Sequence, residues 1–233
     1  PCAALTAWNG LFEGKPVTPG ETVLVLGTGG VSMFALQFAK AAGAVVIATS
    51  SSDVKLAQAK ALGADHLINY AEGEYKEKVK ELTGGRGADV IYDAVGGDYF
   101  DQALRCVNWN GRILVIGFAS GRIPSAPANL ALLKGCSIVG VFYGRFKQEE
   151  PEKSQQAMCK WSLRGVTTMR RASDGWTAMS AASCGRCTRM FVASGGHAAA
   201  SASDHGRAAG GQRHLRRGMR PAEPRGVGGA GYR

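Results

Sequence analysis

Short apolar runs recur along the first 150 residues at intervals of about 20 to 25 residues. Each run is rich in Val, Ile, Leu or Ala, and turn-forming residues such as Gly, Asp and Asn separate it from its neighbours. Runs of this length with such boundaries are typical of buried strands. The pattern predicts six strands, at residues 23–26, 45–48, 66–68, 90–92, 113–116 and 137–142.

Segments with helical spacing of apolar residues lie between the first five of these runs. They predict helices at residues 31–42, 54–62, 74–82 and 99–106. Strands that are apolar on both faces and alternate with helices indicate a parallel sheet covered by helices on both sides. The predicted fold class is therefore α/β, a doubly wound six-stranded parallel sheet of the Rossmann type.

The segment VLVLGTGGVS, residues 23–32, joins the first strand directly to a glycine cluster that opens the first helix. Gly27 can adopt the positive φ of a tight turn, and Gly29 lets the backbone approach a phosphate closely. A helix N-terminus adds unpaired N–H groups and a positive partial charge, so the segment predicts a pyrophosphate site. Ser32 replaces the third glycine of G-x-G-x-x-G, and a purely structural glycine turn is the alternative. The candidate residues are Gly27, Thr28, Gly29, Gly30 and Val31.

Charge divides the chain at about residue 150. Residues 1–150 carry 14 basic and 14 acidic side chains, whereas residues 151–233 carry 14 basic and 4 acidic ones. The second part holds six Leu, Val or Phe residues and is rich in Arg, Ala and Gly, so we expect residues 151–233 to form a mostly disordered tail. We expect no specific nucleic-acid partner; salt-dependent binding of nucleic acid by this basic tail, without sequence specificity, is a less favoured alternative function.

No apolar run approaches 18 residues, and no signal peptide is recognisable. We therefore expect a cytoplasmic protein with no membrane partner. The scattered cysteines suit a reducing compartment.

Long stretches resemble the medium-chain dehydrogenase/reductase superfamily. PCAALTAWNGLFEGKPVTPGETVLVLGTGGVSMFALQFAKAAG and VIATSSSDVKLAQAKALGADHLINY are similar to its alcohol-dehydrogenase-like members. GGRGADVIYDAVGGDYFDQALRCVNWNGRILVIGFASGRIPSAPANLALLKGCSIVGV is similar to NADPH:quinone oxidoreductases of the zeta-crystallin type. The resemblance implies an NAD(P)-binding Rossmann domain at residues 1–150 and hydride transfer from NADPH to a quinone, enone or related carbonyl compound. The alternatives are a non-catalytic NADPH-binding fragment and a zinc-type alcohol dehydrogenase-like enzyme.

Members of this superfamily carry a catalytic domain before the position of Pro1 and return to it after the last strand. Neither part is recognisable here, so no catalytic residue is assigned, and we expect coenzyme binding with little turnover. The Arg-rich tail begins abruptly after Met158, as an out-of-frame reading of a GC-rich gene would.

Coenzyme choice is predicted from the end of the second strand. Ser50 matches the position at which NAD-selective members carry an acid, and Lys55 follows one helical turn later. Without a carboxylate to repel a 2′-phosphate, the hydroxyls and the lysine favour NADP(H) over NAD(H). Serines that cap a helix beside a solvated Lys55 are the alternative, and Asp53 would reverse the preference if it turned inward. The candidates are Ser50, Ser51, Ser52 and Lys55, with Tyr70 beside the same phosphate by resemblance.

The resemblance also places the nicotinamide ribose and ring at the ends of the fourth and fifth strands; ordinary turn formation is the alternative. The candidates there are Ala94, Val95, Ile116, Gly117 and Ala119. Cys2 lies 25 residues before Gly27, the spacing of one catalytic zinc ligand in zinc-dependent members. We expect Cys2 to be a small buried residue and expect no zinc. The resemblance implies a homodimer formed by extension of the sheet at the sixth strand, residues 137–142, and an exposed, aggregation-prone edge is the alternative.

Overall fold

The computed structural model describes residues 2–163, 168–172 and 175–179. Most of the predicted tail therefore lies outside the described residues. Along the chain the helices and strands are α1 Cys2–Phe12, β1 Thr22–Leu26, α2 Gly30–Ala41, β2 Val45–Ser50, α3 Asp53–Ala61, β3 His66–Asn69, α4 Tyr75–Leu82, β4 Ala88–Asp93, α5 Asp98–Cys106, β5 Val107–Val115, α6 Ala128–Lys134, β6 Ser137–Gly140, α7 Tyr143–Glu149, α8 Pro151–Leu163, β7 Thr168–Ala172 and β8 Gly175–Met179.

The first six strands form one parallel sheet in the order β3-β2-β1-β4-β5-β6, which confirms the predicted Rossmann architecture. β1 is central, since Val23 pairs with Val46 of β2 on one side and with Val90 of β4 on the other. From β1 the chain adds β2 and β3 on one side of the sheet, and it then crosses back to add β4, β5 and β6 on the other side. The point at which the order reverses lies between β1 and β4. Ligands of such sheets bind at this switch point, outside the carboxyl ends of the strands.

Successive residues of β1 enter opposite faces of the sheet, so the strand is buried on both sides. Val23 and Val25 pack in a cluster with Trp8 and Phe38, whereas Leu24 and Leu26 pack in a second cluster with Tyr75 and Phe100, among others. Helices therefore cover both faces, and this double burial explains the continuous apolar runs of the sequence.

Helix α1 was not predicted, although it completes one of the two cores. Ala4, Trp8 and Leu11 are buried along one face, and the Trp8 ring lies edge-on against Phe38 with 5.5 Å between ring centroids. Its glycine, threonine and asparagine obscure the helical period of the sequence. The short helices α6 and α7 were missed for a different reason, because neither has a buried residue.

Helix α8 begins one residue after the predicted domain boundary at 150. Ser154 and Ala157 are buried, and the Ser154 hydroxyl lies 3.2 Å from the hydroxyl of Tyr143. The folded domain thus continues past residue 150, because small side chains one turn apart allow the helix to pack closely without Leu or Val at those positions.

Strands β7 and β8 form a separate two-stranded antiparallel hairpin, with Thr168 opposite Met179. Throughout the described part of the chain, no helix is both long and apolar enough to cross a membrane.

Candidate functional site

The glycine turn leaves β1 at Leu26 and reaches the first residue of α2 at Gly30. Gly27 has φ +77°, which favours glycine, and a Cβ atom there would make a tight contact of 3.0 Å with Cγ2 of Val95. Gly29 is the N-cap of α2 in an extended conformation, φ −75° and ψ 173°, with no side-chain cap. A Cβ atom at Gly29 would meet no described atom within 4 Å. The N-terminus of α2 therefore opens onto space that suits an anion.

Ser32 occupies the position of the missing third glycine. It is buried, and its hydroxyl donates to the carbonyl oxygen of Leu26 at 3.2 Å. This bond ties the first turn of α2 to the end of β1, which a glycine would achieve by close packing alone. Val31, beside it, packs against the apolar cluster below α2.

The end of β2 is joined to the glycine turn by hydroxyl groups. Thr28 and Ser50 place their hydroxyl oxygens 3.0 Å apart, and the backbone N–H of Gly27 donates to Oγ1 of Thr49 at 3.3 Å. The Ser50 hydroxyl also accepts from the backbone N–H of Ser52 at 3.3 Å. Ser50 is buried, and its hydrogen bonds connect the end of β2 to the glycine turn.

The next residues offer the exposed groups of the same corner. Ser51 and Lys55 are exposed, and Ser52 is the N-cap of α3 without a side-chain capping bond. No hydrogen bond or ion pair joins the Lys55 ammonium to any other described residue. The Asp53 carboxylate accepts from Nδ2 of Asn69 at 2.8 Å, so it is held towards the end of β3.

Tyr70 directly follows β3, and β3 is the neighbour of β2 in the sheet. It is half-buried, and its ring centroid lies 4.8 Å from that of Tyr99. Asn69 pairs with Ser50 across the two strands. The structure therefore brings together the strand ends that carry Ser50 and Tyr70, as the predicted 2′-phosphate corner requires.

At the end of β4, sequence reasoning missed Asp93. Its side chain is 1% exposed, and Oδ1 accepts from the backbone N–H groups of Val95 and Gly96, both at 2.8 Å. Burial raises the pKa of this carboxyl above its ordinary value, while the two N–H groups oppose the shift. The signal in the sequence is an aspartate that ends a buried strand just before a glycine pair, in DAVGG.

Backbone bonds join the loop after β4 to the loop after β5. The carbonyl oxygen of Asp93 accepts from Ile116 at 2.8 Å, that of Ala94 from Ala119 at 3.2 Å, and that of Val95 from Ser120 at 3.0 Å. The structure thus places side by side the candidates predicted for the nicotinamide half. They are Ala94, Val95, Ile116, Gly117 and Ala119.

The expectation that Cys2 is buried was wrong, because its side chain is exposed. Cys2 is the first residue of α1, and the buried positions of that helix begin at Ala4. Within the described ranges, no group of three or more His, Cys, Asp or Glu side chains is placed to hold a metal ion. The described residues therefore do not complete a zinc site around Cys2.

Comparisons with known proteins agree with this geometry. Residues 30–159, more than half of the chain, match the family model described as zinc-binding dehydrogenase. The chain belongs to the zinc-binding dehydrogenase family. This membership confirms the resemblance to the medium-chain dehydrogenase/reductase superfamily, and specifically to its cofactor-binding domain.

Relatives of this dehydrogenase domain include both types expected from the sequence. The chain is 44% identical over 161 residues to a quinone oxidoreductase-like protein 2 homolog from Nematostella vectensis, covering 66% of the chain and 43% of the relative. It is 46% identical over 151 residues to a zinc-type alcohol dehydrogenase-like protein from Schizosaccharomyces pombe, covering 62% and 44%. The chain spans less than half the length of these relatives.

Among solved structures, the Escherichia coli quinone oxidoreductase complexed with NADPH superposes with a TM-score of 0.63 at 29% identity. The match covers 68% of this chain and 49% of the bacterial enzyme.

Proposed function

We propose that this chain binds NADP(H) across the carboxyl ends of β1, β2, β4 and β5, as the cofactor-binding half of an oxidoreductase. The proposed reaction passes a hydride from NADPH to a quinone, enone or related carbonyl compound. The observation that carries the proposal is the open, uncapped N-terminus of α2 at the switch point, where Gly29 leaves space within 4 Å of its Cβ position. The quinone oxidoreductase names among the relatives favour the substrate class.

Each part of the site has a proposed task. Gly27–Gly30 and the first N–H groups of α2 would hold the diphosphate. Ser51, Ser52 and Lys55 would surround a 2′-phosphate, with Tyr70 beside it. The small residues of the two joined loops would leave room for the nicotinamide ribose and ring. When bound, NADPH supplies a hydride from its nicotinamide ring.

Two features support NADP(H) over NAD(H), and the position of Asp53 bears on the same choice. The residue at the end of β2 is Ser50, which carries no charge to repel a phosphate. Lys55 is exposed on the first turn of α3, where its ammonium is accessible. Asp53, the acid that would favour NAD(H), is bonded to Asn69 at the end of β3, next to Tyr70. A carboxylate and a phosphate at contact distance repel by about 1 to 4 kcal/mol, so an Asp53 that turned further into this corner would oppose the choice.

Titration of the chain with NADPH, followed by coenzyme fluorescence, tests binding. We expect the coenzyme fluorescence to rise with NADPH and to saturate. NADH should give the same rise only at a higher concentration. A linear response would overturn the proposal, and equal affinity for NADH would overturn the coenzyme choice. Addition of a quinone, with loss of reduced-coenzyme absorbance, then separates an oxidoreductase from a non-catalytic binder. The same assay with an alcohol, NADP⁺ and Zn²⁺ tests the alcohol dehydrogenase alternative.

We also propose that two copies associate through β6. All four residues of this edge strand are exposed, including the apolar Ile138 and Val139. An unpaired apolar edge readily pairs with another strand. Light scattering should show a dimer that Val139→Lys converts to a monomer, and a monomeric wild-type chain would contradict the proposal.

A further inference from the structure

Asp93 is a buried carboxylate for which the proposed coenzyme contacts have no use. It ends β4, between Leu26 of β1 and Val115 of β5 in the sheet. At 1% exposure it does not face a ligand directly. A charged group is rarely buried unless its hydrogen bonds compensate for the lost hydration. The role of Asp93 therefore lies in the groups that donate to it.

The hydrogen bonds of Asp93 converge on the nicotinamide half of the proposed site. Its Oδ1 accepts from Val95 and Gly96, and its backbone carbonyl accepts from Ile116, each at 2.8 Å. Gly96 has φ +66°, a left-handed conformation that favours glycine at this point of the loop. One residue thus holds the loop after β4 and the first residue after β5.

The same bonds fix Val95 over the glycine turn. Cγ2 of Val95 lies 3.0 Å from the position that a Cβ atom of Gly27 would take. The carbonyl oxygen of Val95 accepts from the N–H of Ser120 at 3.0 Å, so the loop after β4 is also bonded to the loop after β5. The corner formed by Ser51 and Lys55 lies on the other side of β1, and no described hydrogen bond links either residue to Asp93.

We propose that Asp93 is a positioning residue that sets the nicotinamide half of the coenzyme site without affecting the adenine half. The proposal rests on the proposed function, because it presumes that a dinucleotide binds here. Loss of the carboxylate leaves the N–H groups of Val95 and Gly96 without their acceptor, so the loop loses its register against Gly27. Binding energy is then lost for the whole dinucleotide and not for its adenine fragment.

The test compares two ligands by isothermal titration calorimetry of the full chain. NADPH spans the whole site, whereas adenosine 2′,5′-bisphosphate carries the adenine, the ribose, the 2′-phosphate and one 5′-phosphate, and lacks the nicotinamide half. Asp93→Ala is expected to raise the Kd for NADPH at least tenfold and to change the Kd for the bisphosphate less than twofold. Asp93→Asn, whose amide oxygen can accept both N–H groups, is expected to restore NADPH affinity to within about threefold of wild type.

The matched control is Asp89→Asn, at the opposite end of the same strand. Asp89 accepts from the N–H of Thr22 at 2.8 Å and from Asn108, so it is structural and remote from the site. It should leave both Kd values unchanged. Should Asp93→Ala fail to fold, Val95→Ala removes the side chain over Gly27 with every backbone bond intact and should weaken NADPH binding selectively.

Equal weakening of both ligands by Asp93→Ala would reduce Asp93 to a structural role and overturn the proposal. Unchanged NADPH affinity in that variant, or in Val95→Ala, would overturn it as well. A wild-type chain that binds neither ligand would instead refute the proposed function, so the two failures are distinguishable.

Discussion

The hydroxyl oxygens of Thr28 and Ser50 lie 3.0 Å apart in a buried contact between the glycine turn and the end of β2. Ser50 was predicted as a phosphate contact; it is buried, and its hydroxyl also accepts from the backbone N–H of Ser52. A contact with the 2′-phosphate therefore falls first to the exposed groups beyond it, Ser51 and Lys55.

Gly29→Ala should weaken NADPH binding at least tenfold while leaving the fold intact. The extended backbone of Gly29 accepts any residue, and the added methyl would meet no described atom within 4 Å. It would instead occupy the space proposed for the diphosphate. Fluorescence titration measures the affinity, and urea unfolding measures the stability.

A methyl group added elsewhere provides the control for this variant. Gly140 also has open space within 4 Å of its Cβ position, but it lies in β6, away from the glycine turn. Gly140→Ala should bind NADPH like wild type. NADPH affinity that survives in Gly29→Ala would argue against a diphosphate at this turn.

Lys55→Gln should lower the affinity for NADPH about tenfold and leave that for NADH unchanged. The ammonium is exposed at the first turn of α3 beside Ser51, and hydrogen bonds to charged groups contribute about 1.5 to 3 kcal/mol. Parallel titrations with both coenzymes measure the ratio. Lys60→Gln, in the last turn of the same helix, is the matched control, and an equal loss in both variants would point to non-specific charge.

Glu21 should make the stability of the domain pH-dependent. Burial would raise the pKa of Glu21, but hydrogen bonds and charge from Arg112, with the N–H of Thr18, outweigh burial and hold it below the ordinary 4.5. A carboxyl whose pKa is lowered by folding contributes stability that is present above its unfolded pKa and lost as pH falls through the folded one. The domain should therefore lose stability below about pH 4.5.

Glu21→Gln isolates this contribution from that of other acids. The guanidinium of Arg112 is 5% exposed and bonds Glu21 at 2.9 Å, so the variant should be about 1.5 to 3 kcal/mol less stable at pH 7. The difference from wild type should shrink towards zero at low pH in urea-unfolding experiments. Asp101→Asn breaks the exposed pair with Arg105 and should cost less than about 1 kcal/mol; a pH-independent difference at Glu21 would contradict the prediction.

Two glycines with positive φ should respond very differently to alanine. At Gly87 a Cβ atom would lie 2.3 Å from the carbonyl oxygen of Cys106, so the backbone itself would have to move. At Gly85 nothing described lies within 4 Å, and the cost is that of the left-handed conformation, about 1 to 2 kcal/mol. Gly87→Ala should cost at least about 3 kcal/mol in thermal or urea unfolding. If both variants lost the same stability, the left-handed backbone conformation, and not the contact with Cys106, would account for the cost at Gly87.

The sheet was predictable because its strands are buried on both faces. Leu24 and Val25 face opposite cores, so both positions must be apolar, and the run is continuous. Helix α1 escaped prediction since its buried face includes Ala4, Ala7 and Gly10, which carry little hydrophobic signal. Small residues reveal packing only once their neighbours are known.

The proposed site was predictable where backbone geometry restricts the residue type. Gly27 adopts the positive φ that the glycine cluster predicts, so this requirement is visible in the sequence. The internal use of Ser50 and the loop bonds of Asp93 were not visible, because both depend on partners brought in from other strands. The local sequence pattern therefore predicts which residues form the turn. The hydrogen-bond partners of a side chain can be assigned only once the fold is known.

The central place of β1 in the sheet has a consequence for folding. The N–H of Thr22 bonds the side chain of Asp89, 67 residues later, so β1 gains its second neighbour only after most of the domain has been synthesised. A nascent chain that ends before β4 carries the glycine turn without the strand that completes the crevice. Contacts of such long range form slowly. A bound dinucleotide would therefore stabilise the complete sheet, and not its first half, against unfolding and proteolysis.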